Sequence, residues 1–470
     1  MQERVRTRDT SEARAPSDSE GDGNQSPRRK EWKARNLDDA ARALVDADSR
    51  YFFHQSLSTP CISAIRKAEG IWLEDMTGRR FMDFHGNNVH HIGYGHPRLV
   101  EALKRQIDDL PFTPRRFTDA PAVALAEKLA SIAPGGLSKM LFATGGSDAI
   151  EMALKLARAV TGRFKTVSFW DAFHGAGFGA SSVGGEETFR SGPIGPLLPG
   201  TEHVAPPYCY RCPYGYPDID GQPDLDNCKT ICADFVRYVL EKEGDVAAVI
   251  AEPVRAVPYI PPPGFWRIVR QACDDHGALL IFDEIPVGLG KTGRMFACEH
   301  FGVTPDILVL GKALGGGIMP IAAMIAKPEF DVLENHALGH YTHEKNPVSC
   351  RAALTTIEII EDEGLVENAR IVGAHALDRL REMAGRHSII GDVRGLGLQI
   401  GVELVLDRDD KTRATDAAER ILYSALDKGL SMKITMGNIL SLTPPLTITI
   451  EQMDAALTII DECLAEVGGD

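Results

Sequence analysis

Apolar and polar positions alternate differently along successive stretches of the chain. In residues 37–48 (LDDAARALVDAD) apolar side chains recur at helical spacing, which predicts a short amphipathic helix. Between about 60 and 96 the apolar runs are short and broken by turn residues, and GIWLEDMTGRRFMDF predicts a small antiparallel hairpin. From about 122 to 340 the pattern becomes apolar runs of strand length bounded by Gly, Pro or charge: KMLFAT, FKTVSFW, AAVIAEP, ALLIFDE and DILVLGK. Helical stretches such as GFWRIVRQACDDHG lie between some of them. Strands covered by helices on both faces read as continuous apolar runs, so this region predicts an α/β domain with a mostly parallel sheet. A long helix (SCRAALTTIEIIEDEG) then opens a smaller α+β domain, with strands expected at 391–404 and 438–449. Residues 1 to about 30 hold almost no apolar side chains, cannot offset their ordering entropy and predict a disordered tail. The expected organisation is a tail at 1–35, an N-terminal segment at 36–110 contributing to the small domain, a large α/β domain at 111–345 and a small C-terminal domain at 346–470.

Composition narrows the function. The 470 residues carry 66 acidic and 51 basic side chains, a formal charge of −15, which argues against a nucleic-acid or anionic-membrane partner. No apolar run reaches the roughly 18 to 20 residues of a membrane span, and the charged N-terminus is unlike a secretory signal. Nine cysteines, an odd number in a long chain, suit a reducing compartment, so a cytoplasmic protein is expected.

Three features carry candidate chemistry. DILVLGKALGGG places Lys312 after an apolar strand and before a glycine-rich turn. ALLIFDE carries the carboxylate of Asp283 out of a neighbouring strand. FATGGSDAIEMALKLAR reads as strand, glycine turn and helix start, so backbone N–H groups and the helix dipole at Gly145, Gly146 and Ser147 can hold a phosphate. Taken singly, each has a plain reading: a solvated lysine, a loop anchor, an N-cap. Together they suit pyridoxal phosphate, which needs an amine, an anion at the pyridine nitrogen and a phosphate cup. Phe173 in SFWDAFHGAGFG is the candidate for stacking on the ring; a core Phe is the plain alternative.

The motifs ATGGSDAIEMALKLAR, DAFHGAGFG, AVIAEP, LLIFDEIPVGLGKTGRMFACEH, PDILVLGKALGGGIMP and YTHEKNP, in this order, make residues from about 50 to 465 resemble a class III aminotransferase. The resemblance implies the aspartate-aminotransferase-like, fold type I, pyridoxal-phosphate fold. It implies Lys312 as the Schiff-base lysine, Asp283 at the pyridinium, Gly145, Gly146 and Ser147 at the phosphate, and Phe173 on the ring. Glu252 would stand near Asp283. Thr342 would reach the phosphate of a neighbouring subunit, giving a homodimer with shared sites.

The chain departs from the transaminase members of that family at four positions. Ala176 and Ser441 stand where those enzymes carry carboxylate-binding arginines, Val257 where they carry a gating Glu, and Pro286 where a Gln meets the cofactor phenolate. An Arg–carboxylate fork is a strong contact, so these losses weaken recognition of an α-amino acid or 2-oxoglutarate. What remains is mostly neutral or basic: Asn87, Asn88, His90 and His91 in HGNNVHHIGYGHP and Arg255 after the EP motif, with His343, Glu344 and Lys345 before NP. These residues suit an anion site for something other than an α-carboxylate, and equally loop capping or a dimer interface. Asn87, Asn88, His90 and Arg255 are the candidate substrate contacts. Within the family, HQSLSTPC, DFHGNNVHHIGYGHP, DAFHGAGFG and GHYTHEKNP resemble members that release ammonia from a small hydroxy-amino phosphonate. The expectation is therefore a lyase acting on a small amine without a keto acid. The alternatives are a transaminase of a primary amine or ω-amino acid, an aminoalkyl-phosphate phospho-lyase, and a non-catalytic binding protein of the same fold. Cys209, Cys212, Cys228 and Cys232 have the spacing of a zinc site, and equally that of small side chains packed in an insertion; no metal is assigned.

Overall fold

The computed structural model describes residues 19, 21, 23–216, 218–219 and 222–468, so most of the expected tail lies outside the described residues. Its end does not behave as a tail. Pro27–Asn36 is a helix, with Ser26 Oγ accepting from Arg29 N at 3.1 Å. Trp32 explains it: the indole is buried in the main core, with the Arg79 guanidinium 5.1 Å from the ring centroid. One large aromatic anchors a segment whose average composition looks unfoldable. The next helix, Asp39–Tyr51, starts where the sequence places it, with Asp38 capping Ala41 N at 2.7 Å.

The hairpin forms as strands Trp72–Asp75 and Arg80–Asp83, extended by Ile65–Glu69 on one side. On its other side Leu430–Ser431 pairs in parallel, Leu430 opposite Met82. The N-terminal segment and the C-terminal part therefore share a sheet.

The central sheet has seven strands in the order Lys139–Ala143, Ala322–Ala326, Ile307–Leu310, Leu279–Asp283, Val246–Ala251, Lys165–Phe169, Thr201–Val204. Every neighbouring pair is parallel except the two made by Ala322–Ala326. The alternation of its strands sorts the core into two faces. Ala248, Ile250, Ile281 and Val309 pack with the helix Gly146–Thr161. Val249, Leu280, Phe282 and Leu308 pack with residues of helices Ile231–Glu243 and Phe265–His276. Helices on both faces are why the strands read as unbroken apolar runs.

The C-terminal domain is built on a four-stranded antiparallel sheet, ordered Ile390–Leu396, Gln399–Leu404, Ile439–Leu442, Lys433–Thr435. Here two expectations are corrected. The run 391–404 is a hairpin, because Gly397 turns with φ 54° where an added Cβ would lie 2.4 Å from the Thr292 carbonyl carbon. The run 438–449 is strand only to Leu442, since Pro444 and Pro445 have no N–H to give a ladder. Among the described residues no helix is long and apolar enough to cross a membrane.

Candidate active site

Asp283 is the last residue of its strand, paired with Val309 of the adjacent parallel strand. Lys312 follows that second strand by two residues, so both side chains emerge at the carboxyl edge of the sheet, where open α/β sheets bind ligands. Lys312 is half-buried and held at φ 44°, a left-handed conformation that a non-glycine residue adopts only where the surroundings impose it. Among the described residues its ammonium makes no hydrogen bond or ion pair. Asp283 is buried and fully engaged on its own side: Oδ2 accepts from His174 Nδ1 at 2.8 Å and Oδ1 from Ile285 N at 3.0 Å. His174 is buried too, and among the described residues its Nε2 has no partner.

The helix Gly146–Thr161 begins directly after strand Lys139–Ala143, with Gly145 as its extended N-cap. No side chain caps it, so its first N–H groups remain available to an anion. Ser147 Oγ accepts from Ala176 N at 3.0 Å, which binds the loop of Phe173 onto this helix. Glycines make that approach possible. Gly175 has φ 127°, and a Cβ there would stand 2.4 Å from Ser147 Oγ. At Gly179 a Cβ would stand 2.4 Å from Glu151 Oε2, whose other oxygen accepts from Ala180 N at 2.9 Å.

Phe173 is half-buried with its ring 4.5 Å from that of Phe189. Its backbone N–H reaches Glu252 Oε1 at 3.5 Å, and Glu252 Oε2 accepts from Ala256 N at 2.8 Å. Arg255 does not stand as an open anion site. Its NH1 pairs with Glu252 at 2.9 Å, its NH2 with Glu186 at 2.5 Å, and its Nε donates to the Asp171 carbonyl at 2.7 Å. Two buried carboxylates already neutralise it, which corrects the expectation that it receives the substrate's anion. Removing it would leave both carboxylates buried without their cation. Arg255→Ala should therefore cost about 3–5 kcal/mol, read as a lowered denaturation midpoint. Adding Glu186→Gln to that variant should restore part of the loss.

Asn87 and Asn88 form a turn with φ 47° and 59° that packs against the turn Lys312–Gly315. Asn88 Oδ1 is buried and, among the described residues, without a partner, an acceptor of the kind a ligand satisfies. His90 is a different case. It is fully buried, with Nε2 3.1 Å from the Asp83 carbonyl, and burial brings its pKa down to about 4. A Cβ on Gly86 would lie 2.2 Å from its Nδ1, so the neutral ring packs beneath the asparagine turn. His90 thus supports the turn and leaves the candidate substrate contacts. Thr342 is exposed, next to Tyr341, whose hydroxyl reaches the Asp148 carbonyl at 3.5 Å.

Three residues at the site escaped the sequence reading. His174 was signalled only by its place in DAFHG, beside Phe173. Glu186 had no signal, since its partner is 69 positions away. Asp83, which accepts from Tyr94 Oη at 2.7 Å, read as a strand end. Cys209, Cys212, Cys228 and Cys232 are half-buried thiols, and among the described residues no group of three metal-ligating side chains is assembled.

The donor set fits pyridoxal phosphate: a lysine without a competing partner, a buried carboxylate on the adjacent strand, and an uncapped helix N-terminus at the same sheet edge. The comparisons agree. The family model for aminotransferase class III matches residues 53–464. A relative from Vibrio splendidus (strain 12B01), (R)-1-hydroxy-2-aminoethylphosphonate ammonia-lyase, is 47% identical, covering 96% of each chain. The leucine/methionine racemase of Thermococcus litoralis is 38% identical over 90% of this chain and 95% of its own. Among solved structures, an (S)-enantioselective omega-transaminase from Thermomicrobium roseum superposes with a TM-score of 0.84 at 29% identity, covering 91% of this chain and 99% of that one. The structure thus has the fold type I architecture, and the chain belongs to the class III aminotransferase family of enzymes that use pyridoxal 5′-phosphate.

Proposed function

We propose that the chain is an ammonia-lyase of this family, acting on a small hydroxy-amino phosphonate such as (R)-1-hydroxy-2-aminoethylphosphonate and giving phosphonoacetaldehyde. The observation that carries the reading is the set of residues where transaminases hold a keto acid. Ala176 and Ser441 offer no cation, Val257 is buried in an apolar cluster, and Arg255 is already neutralised. The Vibrio relative, which shares nearly the whole length, acts on such a phosphonate by its name.

Pyridoxal phosphate, when bound, supplies an aldehyde for the substrate amine and a ring that accepts the electron pair of the broken C–H bond. The chain's residues do the rest. Lys312 would hold the cofactor, and its free amine would be the base that takes the proton from the aminomethyl carbon. Asp283 would offer its carboxylate to the pyridine nitrogen, in an orientation fixed by His174. The N–H groups of Gly146 and Ser147 hold the phosphate. Loss of the neighbouring hydroxyl as water and later uptake of water balance, so the net products are the aldehyde and ammonia. We infer a homodimer in which Thr342 of a second copy completes each phosphate site.

The test is ammonia release from the racemic phosphonate with pyridoxal phosphate and no keto acid. Catalytic release with consumption of one enantiomer is the expected result. Aldehyde formation only when pyruvate is added, with alanine and no ammonia as the co-product, would make the chain a transaminase, and release of inorganic phosphate from an aminoalkyl phosphate given in place of the phosphonate would make it a phospho-lyase. The racemase relative favours a second reading, inversion at an amino-acid α-carbon. Exchange of that hydrogen in deuterated water, without ammonia release, would select it.

A further inference from the structure

Arg255, paired with Glu186 and Glu252, has no charge left for the proposed substrate's phosphonate, and the segment that carries Glu186 supplies another cation. Residues 184–190 lie directly over the end of strand Lys165–Phe169: a Cβ on Gly185 would stand 2.3 Å from the Phe169 carbonyl oxygen, and the Gly184 carbonyl faces His203 Nε2 at 2.8 Å. Pinned there, the segment points Glu186 into the pair with Arg255. Three residues on, Phe189 packs its ring 4.5 Å from Phe173, the side chain assigned to the cofactor face. Arg190 follows at once. Its guanidinium lies 4.9 Å from the Trp170 ring centroid. Its Nε is buried with no partner, and among the described residues no carboxylate pairs with it. Trp170 is adjacent to Asp171, whose carbonyl holds Arg255. The two arginines thus flank one turn, one neutralised and one not. A half-buried cation without a counter-charge is costly, and burial alone lowers its pKa with no carboxylate to offset it.

We propose that Arg190 is the residue that binds the anionic group of the substrate, with Trp170 holding the guanidinium plane against the site and Phe189 fixing its place beside Phe173. This rests on the reading of the substrate as a small anionic amine. The guanidinium offers a planar fork that suits two phosphonate oxygens. The stack on Trp170 occupies the face of the guanidinium and leaves its edge donors for the ligand.

The test uses the holoenzyme and methylphosphonate, a probe that carries the anion without the amine, titrated calorimetrically into the wild type and Arg190→Ala. A charge-assisted pair predicts binding weakened by about 10- to 100-fold in Arg190→Ala. Arg190→Lys should recover part of the affinity. Binding of 1-amino-2-propanol, which keeps the amine and hydroxyl but lacks the phosphonate, should be unchanged. Equal methylphosphonate affinity in wild type and Arg190→Ala, or no binding to the wild type, would overturn the assignment. An equal loss for the neutral amino alcohol would also overturn it, because the effect would then be general. The readout is separate from turnover: Arg190-dependent binding in an enzyme that releases no ammonia would uphold the anion site while ending the lyase reading.

Discussion

Replacing Lys312 by alanine should lower turnover by at least about a thousandfold while leaving the denaturation midpoint of the chain nearly unchanged. The two halves of this expectation have separate causes. The ε-amine is half-buried and, among the described residues, takes no part in a hydrogen bond or ion pair, so its removal breaks no contact that supports the fold. The backbone at 312 keeps its left-handed conformation in the variant, because the surrounding turn imposes it: Gly316 and Gly317 follow with φ 65° and 74°, and Gly317 lies against the Val89 carbonyl. The chemistry is lost twice over. The variant has no amine to join the cofactor's aldehyde, and no base at the sheet edge to move the substrate proton. The visible absorption of the bound cofactor should shift to that of the free aldehyde, which separates loss of the covalent link from loss of cofactor. Arg in place of Lys312 should not rescue, since a guanidinium stays protonated in proteins. Unimpaired ammonia release by Lys312→Ala would remove the whole assignment of the site.

The legible part of this site is the part built from short sequence distances. Asp283, Lys312 and Gly146 each sit at the end of an apolar run, and a parallel sheet brings such ends to one edge regardless of what lies between them. What the sequence hid depends on partners far away in the chain or on one side chain outweighing its surroundings. Arg255 reads as an available cation until Glu186, 69 residues earlier, is placed against it. His90 reads as a site histidine until its ring is found under Gly86 with the Asp83 carbonyl. Trp32 turns the end of an apparently disordered tail into a helix, which no average over composition reports. The turn at Gly397 is hidden because Gly395–Leu398 is glycine and leucine with no Asn, Asp or Pro to mark a turn, so periodicity alone joins the two strands into one.

Asp283→Asn should reduce turnover by about 10²–10⁴-fold with a smaller loss of cofactor affinity, and the reason lies in what Asp283 is bonded to. Its Oδ2 faces His174 Nδ1 at 2.8 Å and its Oδ1 accepts from Ile285 N at 3.0 Å, in a site where both the carboxylate and the imidazole are buried. An amide of the same shape keeps an acceptor for Ile285 N–H. Its second terminus becomes an NH₂ that meets the histidine as a donor, so the imidazole must turn over its tautomer to accept. The pair survives geometrically, and the negative charge is gone. The chain would then offer no anion to keep a bound cofactor's pyridine nitrogen protonated, and the electron sink that the ring supplies would be weakened when Lys312 removes the substrate proton. The effect should therefore fall on kcat more than on KM. His174→Asn is the companion variant: it keeps the carboxylate but frees its orientation, so it should slow turnover less than Asp283→Asn. A solvent-deuterium or substrate-deuterium effect on kcat that grows in Asp283→Asn would place the loss at proton removal. A variant with unchanged kcat would show that the buried carboxylate serves only the packing of the strand end.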